Sequence, residues 1–278
     1  MKILFGPAGI PLQCNATTTI DGIKCCNAIG LDAMEIQFGM GVRLNEDDAK
    51  DCAKIAVESN IALSSHAPYF VNLCSKEKEK ITTSMRNLFE AAKITHVSKG
   101  RITVFHPGFY QKLQPNEAFE HAKAHLQELE EKLKQHRINI ILGAETVGKR
   151  TAFGSLLENI KLSQQLTMVK PVIDFAHLLA RGDFIIKNED DYRNILTFVE
   201  RELPDYSNNI HCHFSEINYG YKGERNHMAL GERNIPPFKP LMKVLAENGY
   251  SGTVICESPK LDVDAQKMKT EYARYKVH

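Results

Sequence analysis

Short apolar runs alternate with longer amphipathic stretches from one end of this chain to the other. Several runs are almost continuous in valine, isoleucine, leucine, cysteine and phenylalanine, which is typical of parallel strands covered on both faces. The runs lie at Lys2–Ala8, Ala33–Phe38, Ile61–His66, Ile102–His106, Asn139–Glu145, Val169–Asp174, Asn209–Ser215 and Thr253–Glu257. The stretches between and after them predict helices at about 17–29, 46–59, 76–99, 115–137, 153–165, 188–203, 236–249 and 261–276.

Eight strand-then-helix units in succession predict an α/β fold with a parallel sheet, and eight units favour a closed (β/α)8 or TIM barrel. We expect one domain over residues 1–278. An open doubly wound sheet is the alternative, but Gly6-Pro-Ala-Gly9 lacks the GxGxxG spacing of its phosphate turn. The longest irregular stretch, Glu216–Ile235, follows the seventh strand, and a connection of that length usually carries function.

Residues that bind metals occur at the carboxyl ends of the third to eighth predicted strands or in the loops that follow. They are His66, His106, Glu145, Asp174, His177, His213, His227 and Glu257. In a closed barrel these ends meet at one mouth, where active sites of this fold lie. Buried carboxylates need a neutralising partner, and mixed histidine and carboxylate ligands suit zinc, with manganese or iron as alternatives. Because one tetrahedral zinc uses only three or four protein ligands, we expect more than one ion.

Other histidines are less suited to this site. A single histidine at a strand end is more often a hydrogen-bonded structural residue, so the prediction depends on the whole set converging. His211 has the same strand parity as His213 and is its rival for the ligand role. The pair with i,i+4 spacing lacks the glutamate of the HExxH signature, because Ala122 stands there. Four histidines are therefore expected on helices and outside the site: His96, His121, His125 and His136.

Composition and net charge limit the partners and the compartment that we expect for the protein. The formal net charge of +1 gives no global signal for nucleic acid, so a DNA partner would require positive charge concentrated on one face. Seven cysteines without a CxxC pair argue against a disulfide framework or a thiolate zinc finger. No apolar run approaches the ~20 residues of a membrane helix, and the first residues lack the apolar stretch of a signal peptide. We expect a cytoplasmic protein with no membrane partner.

Six short motifs follow the third to seventh strands in order. They are Ser65-His-Ala-Pro-Tyr-Phe-Val-Asn-Leu73, Phe105-His-Pro-Gly108, Glu145-Thr-Val-Gly148, Ile173-Asp-Phe-Ala-His177, His213-Phe-Ser-Glu216 and His227-Met-Ala-Leu-Gly-Glu232. Each motif alone is weak, but in this order they resemble the endonuclease IV family of abasic-site endonucleases, a branch of the xylose-isomerase-like barrels. The match runs the length of the chain.

The resemblance implies three zinc sites, and two or three bound ions. By resemblance, the first site comprises His66, His106 and Glu145; the second Glu145, Asp174, His213 and Glu257; and the third His177 and His227. The family has an aspartate two residues before the loop histidine, where this chain has Arg225. Glu224, one position earlier, is the candidate replacement. If it does not reach the site, the third ion is weakly held or absent and Arg225 is left to bind phosphate.

The resemblance also implies residues that contact DNA. The family inserts an aromatic and an apolar side chain into the duplex, and the matching positions here are Tyr69 and Phe70, although an aromatic pair after a strand usually packs in a core. Such wedges help to bend DNA and to extrude a nucleotide. Arg43 matches, more loosely, an arginine that assists. Three cations follow the fifth and sixth strands and are expected to contact the DNA backbone or to be solvated loop charges: Lys149, Arg150 and Arg181.

By resemblance, this chain is a hydrolase of base excision repair that acts, as a monomer, on double-stranded DNA with abasic sites. It is expected to cleave the phosphodiester 5′ to the abasic site with a metal-activated hydroxide. Glu145 and Glu257 are the predicted catalytic residues. The alternative is a sugar isomerase or epimerase on the same barrel, which resembles this chain in Glu145, Asp174, a strand-seven histidine and Glu257. Such an enzyme binds one metal ion, so the number of ions separates the two functions.

Overall fold

Eight parallel strands form one sheet that curls into a barrel, in a computed structural model that describes residues 2–276. The strands are β1 (Ile3–Pro7), β2 (Ala33–Gln37), β3 (Ala62–His66), β4 (Ile102–Phe105), β5 (Ile141–Glu145), β6 (Val169–Asp174), β7 (Ile210–Phe214) and β8 (Gly252–Cys256). Each strand from β2 to β7 pairs with the next strand in the chain, and β8 pairs with β1. The predicted (β/α)8 barrel is confirmed, and the eight predicted strands all form.

The barrel closes where β1 meets β2. A parallel bridge joins Ala8 to Glu35, and the amide of Asp32 donates a hydrogen bond of 2.9 Å to the carbonyl of Phe5. Gly6 allows this approach, because a Cβ atom at that position would lie 2.0 Å from the carbonyl oxygen of Ala33. The glycine near the start of the chain therefore serves barrel closure rather than a phosphate turn.

Nine helices of the described chain surround the barrel. They are α1 (Thr19–Ala28), α2 (Glu46–Glu58), α3 (Lys78–Val97), α4 (Pro115–Gln135), α5 (Leu156–Gln165), α6 (Phe175–Arg181), α7 (Glu189–Glu202), α8 (Phe238–Glu247) and α9 (Leu261–Tyr275). Reciprocal capping boxes begin two of them, Ser155 with Glu158 at α5 and Asn188 with Asp191 at α7. In the described part of the chain, every helix is too short or too polar to cross a bilayer.

Three elements were not predicted from the sequence. Helix α6 follows β6 directly and is only seven residues long, too short for a clear apolar periodicity. The stretch predicted to be irregular after β7 contains a hairpin of Glu216–Gly220 and Gly223–Met228, whose strands are largely polar. A two-residue ladder joins Gly108–Phe109 to Ala152–Phe153, so α5 begins later than predicted.

One disulfide bond joins Cys14, in the loop after β1, to Cys25 on α1, with Cα atoms 5.9 Å apart. The spacing of these two cysteines gave no signal in the sequence, because they meet only when the loop after β1 folds back onto α1. The other five cysteines are buried free thiols: Cys26, Cys52, Cys74, Cys212 and Cys256. The sequence analysis argued against a disulfide framework and did not predict this single bond; residues 2–276 contain no framework of several bonds.

The closure of the barrel predicts a large difference between two glycine substitutions. We expect Gly6→Ala to lower the free energy of unfolding by about 3 kcal/mol or more, because the new methyl group overlaps the backbone of β2. Gly30→Ala is the control: Gly30 has a positive φ of 75° but no atom near a new Cβ, so we expect a loss of about 1 kcal/mol from backbone strain alone. Urea unfolding measures both values, and equal losses would contradict this account of closure.

Candidate metal centre

The metal-binding side chains predicted from the strand ends meet at the carboxyl mouth of the barrel. Within each of three groups, the ligand atoms lie within 4.8 Å of one another. The groups are His66, His106 and Glu145; Glu145, Asp174, His213 and Glu257; and Asp174, His177 and His227. Glu145 belongs to the first two groups and Asp174 to the last two. The eight predicted ligands therefore form one continuous cluster, which we call the metal centre.

Glu145 lies in the middle of the metal centre and is fully buried. Its Oε2 atom is 3.1 Å from Nε2 of His66 and 3.2 Å from Nε2 of His106. Its Oε1 atom is 3.2 Å from Nδ1 of His177 and 3.4 Å from Nδ1 of His213. Burial would raise the pKa of this carboxyl, but the imidazoles, His106 and His213 first, hold it well below its usual range. Glu145 is therefore an anion that bridges two groups of ligands.

Backbone carbonyls fix the rings of two histidines. Nδ1 of His66 donates to the carbonyl of Ala67 at 2.8 Å, and Nδ1 of His177 donates to the carbonyl of Thr146 at 2.9 Å. A neutral imidazole has a single N–H group, so Nε2 of each ring carries a lone pair. In both cases that lone pair faces a carboxylate oxygen. Two acceptors face each other stably only if a proton or a cation lies between them.

Buried atoms without a hydrogen-bond partner concentrate at the same place. They include Oε1 of Glu145, Oδ2 of Asp174, Nδ1 of His213 and Nε2 of His177. A buried polar atom left without a partner costs about 1–3 kcal/mol, so a set of them around one space indicates a ligand. Imidazole nitrogens and carboxylate oxygens are a donor set that suits zinc and similar divalent cations. The residues present therefore fit a metal centre.

A bulge in the hairpin changes which residues face the metal centre. Residues two apart normally share a face of a strand, which would pair His227 with Arg225. Here Asn218 pairs with Asn226 but Tyr219 pairs with Glu224, so Arg225 is an extra residue. The bulge brings Glu224 to the same face as His227 and leaves Arg225 exposed, with its guanidinium against Gly220.

Glu224 reaches the third group of ligands. Its Oε2 atom is 3.4 Å from Nε2 of His177, and its Oε1 atom is 4.0 Å from Nε2 of His227. Ser215 holds His227 from behind, with its Oγ atom 2.6 Å from Nδ1 of that ring. Gly148 makes room for Glu224, because a Cβ atom there would lie 2.7 Å from Cβ of Glu224. Glu224 therefore supplies a carboxylate beside His227, although Arg225 is the residue two positions before that histidine.

Sequence reasoning missed Glu35, a fully buried carboxylate in the middle of β2. Nε2 of His211 lies 3.1 Å from Oε2 of Glu35, and Nε2 of His213 lies 3.2 Å from Oε1. His211 therefore contacts Glu35 below the metal centre, whereas His213 also reaches Glu145 and Glu257 above. The available signal was a charged residue in the middle of a predicted buried strand.

The remaining histidines of the described chain lie outside the metal centre. His96 is on α3 and bonds to the carbonyl of Asn139, and His125 on α4 bonds to the carbonyl of Leu73. His121 is one turn away from His125 on the same helix, and His136 caps the end of α4. These placements agree with the roles expected from the sequence.

Comparison with known proteins gives the family. A sequence model described as the xylose isomerase-like TIM barrel matches residues 23–275. The chain belongs to this family. It is 36% identical over 266 residues to an uncharacterized protein of Methanocaldococcus jannaschii, covering 95% of both chains. It is 30% identical over 150 residues to a probable endonuclease 4 of Aster yellows witches'-broom phytoplasma, covering 51% of each chain.

The solved structures similar to this chain share the barrel fold, but they do not all catalyse the same reaction. Endonuclease IV from Thermus thermophilus matches with a TM-score of 0.72 and 15% identity, over 96% of this chain and 99% of that one. A D-psicose 3-epimerase from Clostridium cellulolyticum H10 matches with a TM-score of 0.68 and 13% identity, over 95% of each chain. At these identities the likeness shows the fold alone, so the reaction must be argued from the site.

The mouth of this xylose isomerase-like barrel carries an open cleft of about 410 Å³. His66, His106, His177 and Glu257 line it, together with Tyr69 on the rim. The side chains of Tyr69 and Phe70 are 61% and 55% exposed, so the aromatic pair lies at the surface rather than in a core. Exposed aromatic surface beside a charged cleft is unusual unless a partner covers it.

The predicted DNA-contacting cations have different environments. Arg43 and Lys149 are exposed on loops at the mouth, and Arg225 is exposed at the bulge of the hairpin. Arg150 is exposed, but its guanidinium donates to the carbonyls of Arg181 and Gly182.

Arg181 is buried, and its burial is at odds with the prediction that it contacts DNA. Its guanidinium bonds to the carbonyls of Lys149 and Ala152 and to the carboxylate of Asp183. Helix α6, which the sequence analysis missed, ends at this residue and turns it inward. Arg181 therefore ties the loop after β5 to α6.

Protons and cations compete for the imidazoles of the metal centre. Burial alone would lower the pKa values of His66, His177 and His213, but nearby carboxylates outweigh it and raise all three. For His177 the strongest of these is Asp174, and burial raises the pKa of that carboxyl to about 6. The raised pKa values of His177 and His213 favour their protonated forms in the metal-free protein. A metal ion needs the neutral imidazole, so its binding releases protons.

This competition predicts opposite effects of pH on the two forms of the protein. A histidine pKa raised by folding stabilises the fold below about pH 6.5, and that stabilisation is lost as the pH rises through the folded value. We therefore expect the Tm of chelator-treated protein to fall as the pH rises above about 6.5. The increase in Tm on adding zinc should grow over the same range. Thermal melts with EDTA and with zinc test this, and a zinc effect independent of pH would contradict it.

Proposed function

We propose that this protein hydrolyses a phosphodiester bond of double-stranded DNA beside an abasic site, using divalent cations held in the metal centre. One observation carries the proposal: three groups of ligands share Glu145 and Asp174 and so form one extended centre. A centre of this size has ligands for two or three ions, and a single tetrahedral site uses at most four protein ligands. Zinc is the first candidate, with manganese or iron as alternatives.

The residues divide among the ions as follows. His66, His106 and Glu145 would hold the first; Glu145, Asp174, His213 and Glu257 the second; and His177, His227 and Glu224 the third. When bound, such ions lower the pKa of water toward neutrality and stabilise negative charge on phosphoryl oxygens. Glu224 makes the third site a complete set of three ligands.

Glu257 is the carboxylate best placed to orient the attacking water. Its Oε1 atom is 3.2 Å from Nδ1 of His213 and its Oε2 atom is 3.9 Å from Nδ1 of His227. The side chain is 16% exposed and lines the cleft. Burial would raise the pKa of Glu257, but the neighbouring His213 outweighs this and lowers it to about 2. Glu257 therefore stays ionised and accepts a hydrogen bond from water rather than donating one.

The rim of the cleft fits a nucleic-acid substrate. Tyr69 and Phe70 present apolar surface that stacks against bases or fills the space left by an extruded nucleotide. Three exposed cations at the same mouth would contact phosphates: Arg43 and Lys149 on loops and Arg225 on the hairpin. Because the net charge of the chain is only +1, binding depends on such local contacts and should weaken as salt increases.

A sugar epimerase is the second candidate. The group of Glu145, Asp174, His213 and Glu257 is by itself the set expected for a one-metal enzyme, and a D-psicose 3-epimerase shares the fold. The other ligands favour the nuclease, because an epimerase has no use for His66, His106, His177 and His227 together. An exposed aromatic pair at the rim would also be unnecessary for a small sugar.

Cleavage of a defined duplex tests the proposal. We expect zinc-loaded protein to nick a duplex that carries one tetrahydrofuran abasic-site analogue, on the 5′ side of the lesion, leaving a 3′-hydroxyl. Glu145→Gln should lower the rate more than about 100-fold, because loss of an outer partner of a metal ligand alone costs 10–100-fold. Glu130→Gln, which alters a buried carboxylate on α4, is the control and should keep the rate.

Two results would contradict the nuclease assignment. An intact duplex after incubation with folded, metal-loaded protein would remove it. Interconversion of ketohexoses by protein that holds one ion per chain would replace it with the epimerase.

The aromatic rim predicts a binding defect without a metal defect. We expect the double substitution Tyr69→Ala and Phe70→Ala to raise the Kd for the abasic duplex about tenfold or more, since stacking on a base contributes about 1–3 kcal/mol. The zinc content should not change. Leu157→Ala on α5, also an exposed apolar side chain, is the control. Fluorescence anisotropy measures the Kd, and equal affinity of the double variant and the control would argue against a role in DNA binding.

A further inference from the structure

We propose that Glu35 is the positioning residue of the metal centre: it holds the ring of His213 so that Nδ1 faces the second group of ligands. This inference rests on the proposed metal binding but not on DNA as the substrate. None of the sequence motifs that point to the metal centre includes Glu35. This residue is in the middle of β2, and the strands β1 and β8 lie between β2 and β7.

The contacts of Glu35 use both of its carboxylate oxygens. Oε1 lies 3.2 Å from Nε2 of His213 and 3.1 Å from the side-chain amide of Gln37. Oε2 lies 3.1 Å from Nε2 of His211 and accepts a hydrogen bond of 3.0 Å from the hydroxyl of Ser64. Glu35 is fully buried, and these partners come from three different strands. The carboxylate is thus held in one orientation across the barrel interior.

This orientation determines which nitrogen of His213 can bind a cation. With Nε2–H donated to Glu35, the neutral ring carries its lone pair on Nδ1. Nδ1 is 3.4 Å from Oε1 of Glu145 and 3.2 Å from Oε1 of Glu257, and it is buried without a hydrogen-bond partner. A carboxylate behind a ligating imidazole fixes the tautomer and the ring angle and makes the ring a better ligand.

The barrel interior beneath His213 is partly polar and contains a cavity. Successive layers of bulky side chains usually fill the interior of a (β/α)8 barrel. Below the metal centre this barrel instead has a cavity of about 210 Å³ near its amino end, and Ser64 and His211 form part of its wall. Glu35 therefore supports the ring of His213 at Nε2, in a polar part of the barrel interior that also contains His211 and Ser64.

The group of Glu35, His211 and His213 is a support rather than a further metal site. Its ligand atoms lie as close together as those of the metal centre. However, both oxygens of Glu35 already have hydrogen-bond partners, whereas oxygens of Glu145 and Asp174 above are buried without one. The buried oxygens that need a cation are therefore those of Glu145 and Asp174 rather than those of Glu35.

Zinc titration of a Glu35→Gln variant tests the inference without any DNA. The substitution keeps the size of the side chain but removes the charge and one acceptor oxygen. In competition with a chelator, we expect the zinc affinity to fall 10–100-fold, with circular dichroism unchanged. Glu130→Gln is the matched control, because Glu130 is also a buried carboxylate and accepts hydrogen bonds from Met168 and Thr167. Its zinc affinity should equal that of the wild type.

A second measurement does not depend on the variant folding. Long-range ¹H–¹⁵N spectra of the zinc-loaded wild-type protein should show His213 with a proton on Nε2 and the metal on Nδ1. A proton on Nδ1, wild-type zinc affinity of Glu35→Gln, or the same loss in Glu130→Gln would each overturn the inference. A loss confined to Glu35→Gln in a protein that does not cleave abasic DNA would uphold it while removing the proposed function. A wild-type protein that binds no zinc would overturn both.

Discussion

The structure depends on an electrostatic constraint at the mouth of the barrel. Glu145 and Asp174 are fully buried, and imidazole nitrogens with lone pairs point toward carboxylate oxygens. Burying charged groups and orphaned acceptors together is strongly unfavourable unless something positive lies between them. Protons supply that charge in the metal-free protein, and divalent cations supply it when they bind. The fold and the proposed chemistry therefore follow from the same requirement.

Side chains from the strand ends and from the connection between β7 and α8 together meet this requirement. Glu216, at the start of the hairpin, is buried and accepts backbone hydrogen bonds of 2.6–2.7 Å from Gly231, Arg233 and Asn234. These bonds hold the connection from β7 to α8 against the barrel. The amide of Glu224 also donates to the carbonyl of Gly148, which docks the other hairpin strand beside β5. A one-residue bulge then places Glu224 rather than Arg225 beside His177 and His227, so the backbone register supplies the third group with a carboxylate.

Much of this arrangement could be predicted from the sequence, because strand ends in a closed barrel must meet. The alternation of apolar runs located all eight strands, and the position of each ligand relative to its strand placed it at the mouth. The missing parts depend on contacts between elements that no local pattern records. Arg181 was expected to contact DNA or to be a solvated loop cation, because α6 is too short to recognise, and the position of Glu224 depends on a bulge. Glu35 belongs to no motif, and its contacts with His211 and His213 form only because β7 lies across the barrel from β2.

Anomalous diffraction at the zinc absorption edge, from crystals grown in zinc, tests the central claim most directly. The account predicts at least two anomalous peaks within about 2.3 Å of ligand atoms, one of them between Glu145 and the imidazoles of His66 and His106. A peak confined to the second group alone would support the one-metal interpretation of the site. No peak near Glu145, with the same side-chain positions, would show that protons alone neutralise the cluster and would contradict the account.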